Sequence, residues 1–228
     1  MEYPKINTIW QRDEKTHRII EGKYSCPEFA AIDMWVVTEK IDGTNIRIIY
    51  RPNGTAFQDY CTLTQLPPSV EFRGKTDNAE INPALLAYLQ QTFTLDKLKM
   101  AFPEPDTKEV VLFGEGFGGR IQHGGRYRND PAVALFDAWI DGWWLQFRNV
   151  LNIAHKLEVP HVPLFGVSTR ESALRIVTWG GEVSRIAEDK NLPIEGIVAT
   201  SEPMMMFRNG GAPIRWKLKA KDLAQKVA

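Results

Sequence analysis

The sequence predicts an α+β fold in which antiparallel sheets carry flanking helices. Short apolar segments with strand character occur in neighbouring pairs, turn residues separate the members of several pairs, and few helical segments lie between them. The chain has 228 residues, of which 43% are hydrophobic. Because a chain of this length can bury one substantial core, we predict a single domain over residues 1–228.

The strand segments are recognised by short apolar runs that end at turn residues. Pro52, Asn53 and Gly54 form one such turn, and Asp141 with Gly142 forms the turn of a hairpin. The predicted strands are residues 35–38, 46–50, 110–113, 132–140, 143–147, 194–200 and 214–218.

Three helices are predicted from apolar residues that recur at helical spacing. The first has Asn82 as its N-cap and Pro83 in its first turn, places Leu85 and Leu89 on one face, and ends at residues 102–105. The other two helices cover residues 150–157 and 172–178.

The charge and the cysteine content of the chain bear on its binding partner and on its cellular compartment. Lys plus Arg equals Asp plus Glu, at 28 each, so a nucleic-acid partner would have to be held by a local basic patch. Cys26 and Cys61 have no metal-ligand spacing and are interpreted as free thiols in a reducing compartment. No stretch approaches the roughly 18 apolar residues of a membrane span, so we predict a cytoplasmic protein.

Two lysine-containing segments are candidates for chemistry. Lys40 ends a strand and is followed by a polar turn with Gly43, which would place an amine at the rim of a cleft, although most such segments are solvated turns. Lys217 and Lys219 alternate on a strand, so both side chains project to one face. Two ammonium groups on a buried face would require anions, whereas an exposed edge strand would not.

Six segments of interest follow each other along the chain, at residues 39–45, 72–75, 112–119, 135–139, 194–198 and 215–219. In this order they resemble motifs I, Ia, III, IIIa, IV and V of the covalent nucleotidyltransferases, and most closely those of the ATP-dependent RNA ligase 2 family. This resemblance implies a nucleotidyltransferase (ATP-grasp-like) domain and an enzyme that forms a lysyl-AMP intermediate.

The resemblance implies that Lys40 attacks the α-phosphate of ATP while Lys217 and Lys219 stabilise the phosphates. An ordinary lysine has a pKa of about 10.4, so a nearby cation is expected to favour the neutral amine of such a nucleophile. Magnesium, or manganese, suits this role because it takes oxygen ligands and keeps most of its waters. The expected ligands of the metal or its waters are Asp42, Glu115 and Glu195.

The same resemblance implies an ATP site. Phe136 would stack on one face of adenine and Val198 would lie on the other, although Phe136 in an apolar strand also fits a plain core position. Glu115 binds either the metal or the ribose. The backbones of Glu39 and Ile41 would line the adenine edge, and the side chains of Asn45 and Arg73 would contact the phosphates and sugar of the nucleotide or of the 5′-phosphate strand. Glu195 is a further implied contact to the cofactor.

The implied partner is a nucleic acid with 5′-phosphate and 3′-hydroxyl ends, either RNA or an RNA-ended nick, acted on by a monomer. Only nine residues follow Lys219, so we expect no OB domain on this chain and allow for a separate docking chain. A minimal DNA ligase, a non-catalytic nucleic-acid or nucleotide-binding module, and an enzyme that adenylylates a protein or small molecule are the alternatives. Residues 119–128, with Arg120, Arg126 and Arg128, form a basic patch that fits either nucleic acid or solvated surface.

Overall fold

The structure is a computed structural model that describes residues 1–53, 57–59, 62–64 and 67–223. Gly54 of the predicted turn and Cys61 lie outside the described residues. The strands are β1 Asn7–Thr8, β2 Trp10–Arg12, β3 Ile19–Tyr24, β4 Met34–Lys40, β5 Thr44–Arg51, β6 Phe57–Asp59, β7 Thr62–Thr64, β8 Ser69–Arg73, β9 Val110–Phe117, β10 Ala132–Ile140, β11 Trp143–Trp144, β12 Leu164–Thr169, β13 Gly196–Ser201 and β14 Arg215–Lys219. The helices are α1 Glu28–Ala31, α2 Pro83–Thr92, α3 Leu95–Ala101, α4 Phe147–Leu157, α5 Arg170–Thr178 and α6 Ala220–Leu223.

The chain forms two compact units. The first unit contains Met1–Tyr3 and Gly43–His161, and the second contains Pro4–Asp42 and the chain from Val162 onward. A compact unit is not in itself a domain that folds alone, so the single domain over residues 1–228 stays a prediction. In the described residues, no helix is long and apolar enough to cross a membrane.

The first unit is built on a five-stranded sheet with the strand order β11-β10-β9-β5-β8, in which every neighbouring pair is antiparallel. Alternate residues of these strands project to opposite faces. One face buries apolar side chains against α2, α3 and α4, with Ile46, Ile48, Leu112, Leu135, Leu89 and Leu157 in this core. The opposite face carries a smaller cluster formed by Ile49, Val111 and Phe113.

The second unit is built on a five-stranded sheet with the order β1-β14-β13-β4-β12. Its pairs are antiparallel except for β1, which runs parallel to β14. One face of the sheet packs with α5 and with Phe29 of α1 into a core that includes Trp35, Val37, Ile197, Ala199, Trp216 and Leu218. The rings of Trp35 and Trp216 meet edge to face with their centroids 5.6 Å apart.

The structure confirms the α+β class with antiparallel sheets and most of the predicted strands. It corrects the first helix, which breaks at residues 93–94 into α2 and α3 because Thr94 caps the amide of Lys97 and starts a new helix. It also corrects the strand at 143–147, since β11 covers only Trp143–Trp144 and α4 begins at Phe147. In the described residues only the short α6 follows β14.

Arg47 is a fully buried arginine in the middle of β5. Its guanidinium donates to the carbonyl oxygen of Gly74 at 2.8 Å, to that of Met1 at 2.9 Å and to the Asp77 carboxylate at 2.8 Å. These bonds attach both the chain terminus and the segment after β8 to the sheet. The Arg47 guanidinium also holds the pKa of Asp77 below its ordinary value.

We expect Arg47→Met to lower the free energy of unfolding by about 1–3 kcal/mol, because the buried carbonyl of Gly74 loses its donor. Asp77→Asn is the matched control, since the Asp77 side chain is 69% exposed and its ion pair contributes little. Urea denaturation followed by circular dichroism measures both variants. Equal losses in the two would show that the ion pair, and not the buried carbonyl bonds, stabilises this region.

Candidate active site

The second unit gathers four predicted site residues on one face of its sheet. Lys40 pairs with Gly196, which in turn pairs with Lys219, while Val198 pairs with Lys217. Residues directly opposite each other on paired strands project to the same side. Lys40, Val198, Lys217 and Lys219 therefore share the face opposite the apolar core of this unit.

One carboxylate joins two of these lysines. The ammonium group of Lys40 donates to Glu195 Oε2 at 2.5 Å, and Lys219 Nζ lies 2.6 Å from Glu195 Oε1. The three side chains are only 19%, 25% and 12% exposed for Lys40, Lys219 and Glu195 respectively. Partial burial strengthens these ion pairs relative to exposed ones, because less water screens the charges. We call this group the Lys40–Glu195–Lys219 triad.

Gly196 makes room for this arrangement. It lies between Lys40 and Lys219 in the register, immediately after Glu195. A Cβ at this position would overlap the carbonyl oxygen of Leu218. Only glycine fits between the two lysines without moving the strand, so the motif glycine has a packing role in the site.

Glu39 has its side chain on the opposite face from its neighbour Lys40. The carboxylate is buried and accepts hydrogen bonds from the Ser184 hydroxyl at 2.5 Å and from the Arg185 amide at 2.9 Å. Burial raises the pKa of the Glu39 carboxyl, and these hydrogen bonds oppose that rise. The Glu39 amide donates to the Pro163 carbonyl at 2.8 Å, so Glu39 anchors the strand end that carries Lys40. The expected contacts of the Glu39 and Ile41 backbones with adenine stay predictions.

The first unit gathers the other predicted contacts on one face of its own sheet. Asn45 pairs with Glu115, and Arg73 pairs with Arg47, which is two residues from Asn45 along β5. Strand alternation therefore places Asn45, Arg73 and Glu115 on the face away from the helices. The Oδ1 atom of Asn45 is buried and has no hydrogen-bond partner among the described residues, so it is available to a ligand.

Phe136 lies at a register shift in β10 and packs against the small apolar cluster on this face. Sequence reasoning missed its neighbour Tyr3. The Tyr3 ring centroid is 5.1 Å from that of Phe136 and 4.9 Å from that of Phe113, and the Tyr3 hydroxyl donates to Asp137 Oδ2 at 3.1 Å. The sequence of residues 1–3 does not indicate this contact. The polar residue Asp137 directly after Phe136 was the available sign that a hydrogen-bond partner lies near this ring.

Asp42 belongs to the second unit with Glu195, and Glu115 belongs to the first. Among the residues that the structure describes, no group of three or more His, Cys, Asp or Glu side chains is placed to hold a metal by itself. Magnesium is commonly held by one or two carboxylates together with substrate phosphates and water, so carboxylates of this kind suit it. The three-carboxylate metal site stays a prediction.

The sequence model of the family described as RNA ligase matches residues 33–219, which include every predicted site residue. The chain therefore belongs to the RNA ligase family. The matched range contains all six motif segments.

The fold is similar to that of the RNA ligase of Naegleria gruberi. The structure of that ligase with pyrophosphate aligns with a TM-score of 0.55 and 18% identity over 83% of this chain and 50% of the other. An apo mutant aligns at 0.58 and 17% over 98% and 59%, and a mutant with AMP and Mn at 0.56 and 16% over 99% and 60%. This chain thus spans about half to three fifths of those proteins. A search of the curated proteins found no match.

Glu39 generates a prediction about stability and pH. A carboxyl whose pKa is raised by folding adds stability below its ordinary value of 4.5, and this contribution is lost as the pH rises through the folded-state pKa. We therefore expect the free energy of unfolding of the wild type to fall with pH in this window relative to that of Glu39→Gln, which cannot ionise. Urea denaturation from pH 4 upward measures the difference between the two curves.

Ser184→Ala is the matched control for this prediction. It removes the hydroxyl that favours the ionised carboxylate and so raises the folded-state pKa further, which means that the loss of stability should start at the same pH as in the wild type but continue to a higher pH. Parallel pH curves for the wild type and Glu39→Gln would contradict the assignment.

Proposed function

We propose that this chain is an ATP-dependent RNA ligase that uses Lys40 as its covalent nucleophile. The neutral amine of Lys40 attacks the α-phosphorus of ATP, a P–N bond forms, and the bond to the β-phosphate breaks to release pyrophosphate. An oxygen of a 5′-phosphate end then attacks the adenylate phosphorus and frees Lys40. Finally, a 3′-hydroxyl attacks the activated 5′-phosphate, the phosphodiester forms, and AMP leaves.

The observation that supports this proposal most directly is the Lys40–Glu195–Lys219 triad. Two ammonium groups share one carboxylate, so the triad carries one excess positive charge in a partly buried place. Lys217 projects from the same face and adds a further cation. An arrangement of this kind favours an anion such as the triphosphate, and a lysine held against the α-phosphate would stabilise the charge that develops during transfer.

The remaining roles follow the positions of the side chains within each unit. On the sheet face of the first unit, Phe136 stacks on the adenine, and Asn45 and Arg73 contact the sugar or the phosphates. Glu115 on the same face binds the ribose or the metal. The unpartnered buried Oδ1 of Asn45 supports a ligand there, because a polar atom without a partner is costly inside a protein. Val198, on the face that carries Lys40, is the candidate for the opposite side of the base.

ATP and a divalent metal, Mg²⁺ or Mn²⁺, are the proposed cofactors. Structures of the Naegleria gruberi ligase contain ATP and Mn, and this chain has its fold. Asp42, Glu195 and Glu115 would hold the metal or its waters, with carboxylate oxygens as the hard ligands that such ions prefer. When bound, the metal would supply positive charge that favours a neutral lysine amine and neutralises phosphate oxygens.

The proposed substrate is a nucleic acid with a 5′-phosphate and a 3′-hydroxyl end, acted on by a monomer in the cytoplasm. A 2′-hydroxyl distinguishes RNA from DNA locally, so we propose a preference for an RNA strand on the 3′-hydroxyl side. A docking chain that supplies further contacts is compatible with a chain that spans about half the length of its structural relatives.

The covalent step is tested by incubating the protein with α-labelled ATP and Mg²⁺ and measuring label on the denatured protein. We expect the wild type to take up label and Lys40→Ala to take up none. Lys40→Arg should also fail, because a guanidinium retains the charge that pairs with Glu195 but does not lose its proton at working pH. Lys23→Ala, at an exposed lysine of β3 in the same unit, is the control that should keep full labelling.

Sealing assays on two matched nicks test the preference for RNA. The duplexes differ only in whether the strand that ends in the 3′-hydroxyl terminates in ribonucleotides or deoxyribonucleotides. A site that hydrogen-bonds the 2′-hydroxyl should seal the RNA-ended nick at least about tenfold faster. Equal rates on both nicks would remove the preference while leaving the covalent step intact.

A further inference from the structure

The loop between β9 and β10 is rich in arginine and has no role in the site described so far. This basic loop covers residues 118–130 and contains three arginines and one histidine against a single acid, Asp130. Since the whole chain has a formal net charge of zero, the loop is a local excess of positive charge.

Two buried side chains hold the basic loop against the first unit. Ile121 is 5% exposed and Tyr127 is 3% exposed, and the Tyr127 ring meets Phe117 edge to face at a centroid distance of 5.9 Å. Gly118 has a φ of 88°, and a Cβ there would overlap the carbonyl oxygen of Asp130. The Gly119 amide donates to the Arg128 carbonyl at 3.0 Å, so the loop has a defined backbone that closes on itself.

The arginine side chains of the basic loop differ from these two buried residues, because they reach the solvent. Arg120 and Arg126 are exposed, and no ion pair within the described part of the chain involves either of them. Arg128 is half-buried, and its Nε atom is buried without a hydrogen-bond partner among the described residues. Arg47 and Arg51 of the neighbouring strand are instead held by carboxylates. The basic loop therefore displays guanidinium groups that the protein itself does not neutralise.

The basic loop also borders the candidate site of the first unit. Phe117 and Ala132 form the last pair of β9 and β10 before the loop. Glu115 precedes Phe117 by two residues and pairs with Asn45 at this end of the sheet. If the end of an RNA strand bound at Asn45 and Glu115, the arginines of the loop would thus be close to the next phosphates of that RNA.

We propose that the basic loop binds the phosphate backbone of the RNA strand, with Arg120 and Arg126 as its principal contacts. This inference rests on the proposed function, since it extends the same site along its substrate. A guanidinium presents a planar pair of donors that matches a phosphate group, and the loop presents them on a fixed backbone. Contacts of this kind add affinity without reading sequence, and they weaken as salt is added.

The test measures binding of a 5′-phosphorylated single-stranded RNA by fluorescence anisotropy over a series of salt concentrations. For the double variant Arg120→Gln/Arg126→Gln, the slope of log affinity against log salt should decrease in magnitude by about 1.4, which corresponds to two lost phosphate contacts on a single strand. The variant Arg120→Lys/Arg126→Lys keeps both charges and should keep most of the slope. Covalent labelling by ATP without RNA should be unchanged in both variants.

The matched control is Arg148→Gln/Lys156→Gln, which removes two exposed charges from α4 on the helix-covered face of the same unit. An unchanged slope in the loop variant, or an equal decrease in the control, would overturn the proposal. A wild-type protein that takes no label from ATP would instead refute the proposed function, and the RNA-binding measurement does not depend on that label.

Discussion

The site in the second unit depends on a single carboxylate, that of Glu195, placed between two ammonium groups. Both of its oxygens are engaged, one by Lys40 at 2.5 Å and the other by Lys219 at 2.6 Å. Because these side chains are mostly shielded from water, separating any one of them leaves an uncompensated charge, which is more costly than at the surface. The carboxylate therefore fixes the ends of β4 and β14 relative to β13, and with them the position of Lys40.

Strand alternation explains how each unit supports a stable core and a polar face at once. In β4, Trp35, Val37 and Glu39 point to the core side while Lys40 points away, and in β14 Trp216 and Leu218 alternate with Lys217 and Lys219. The apolar members bury enough surface to hold the strands together, so the alternate positions are free to carry charge. Glu39 is the exception, and its hydrogen bonds with Ser184 and Arg185 offset its burial.

Features encoded within a short stretch of chain were predictable from sequence, and features that depend on distant partners were not. The N-cap at Asn82 and the strand that ends at Lys40 were recovered because capping and alternation are local patterns. The pairing of β1 with β14 and the contact of Tyr3 with Phe136 join residues more than 130 positions apart, and no periodicity reports them. The break after α2 was hidden because apolar spacing continues from Phe93 to Leu98 and Thr94 alone marks the new start.

Although the formal net charge of the chain is zero, its cationic side chains are of two kinds. Arg47 and Arg51 in the first unit, and Arg12 in the second, are held by carboxylates and serve packing. Lys40 and Lys219 share one carboxylate, and the exposed arginines of the basic loop have no ion pair among the described residues. The Lys40–Glu195–Lys219 triad of one unit thus carries one excess positive charge, and the loop of the other unit carries exposed arginines. Net charge is a sum over both kinds, so zero places no limit on how strongly either region attracts phosphate.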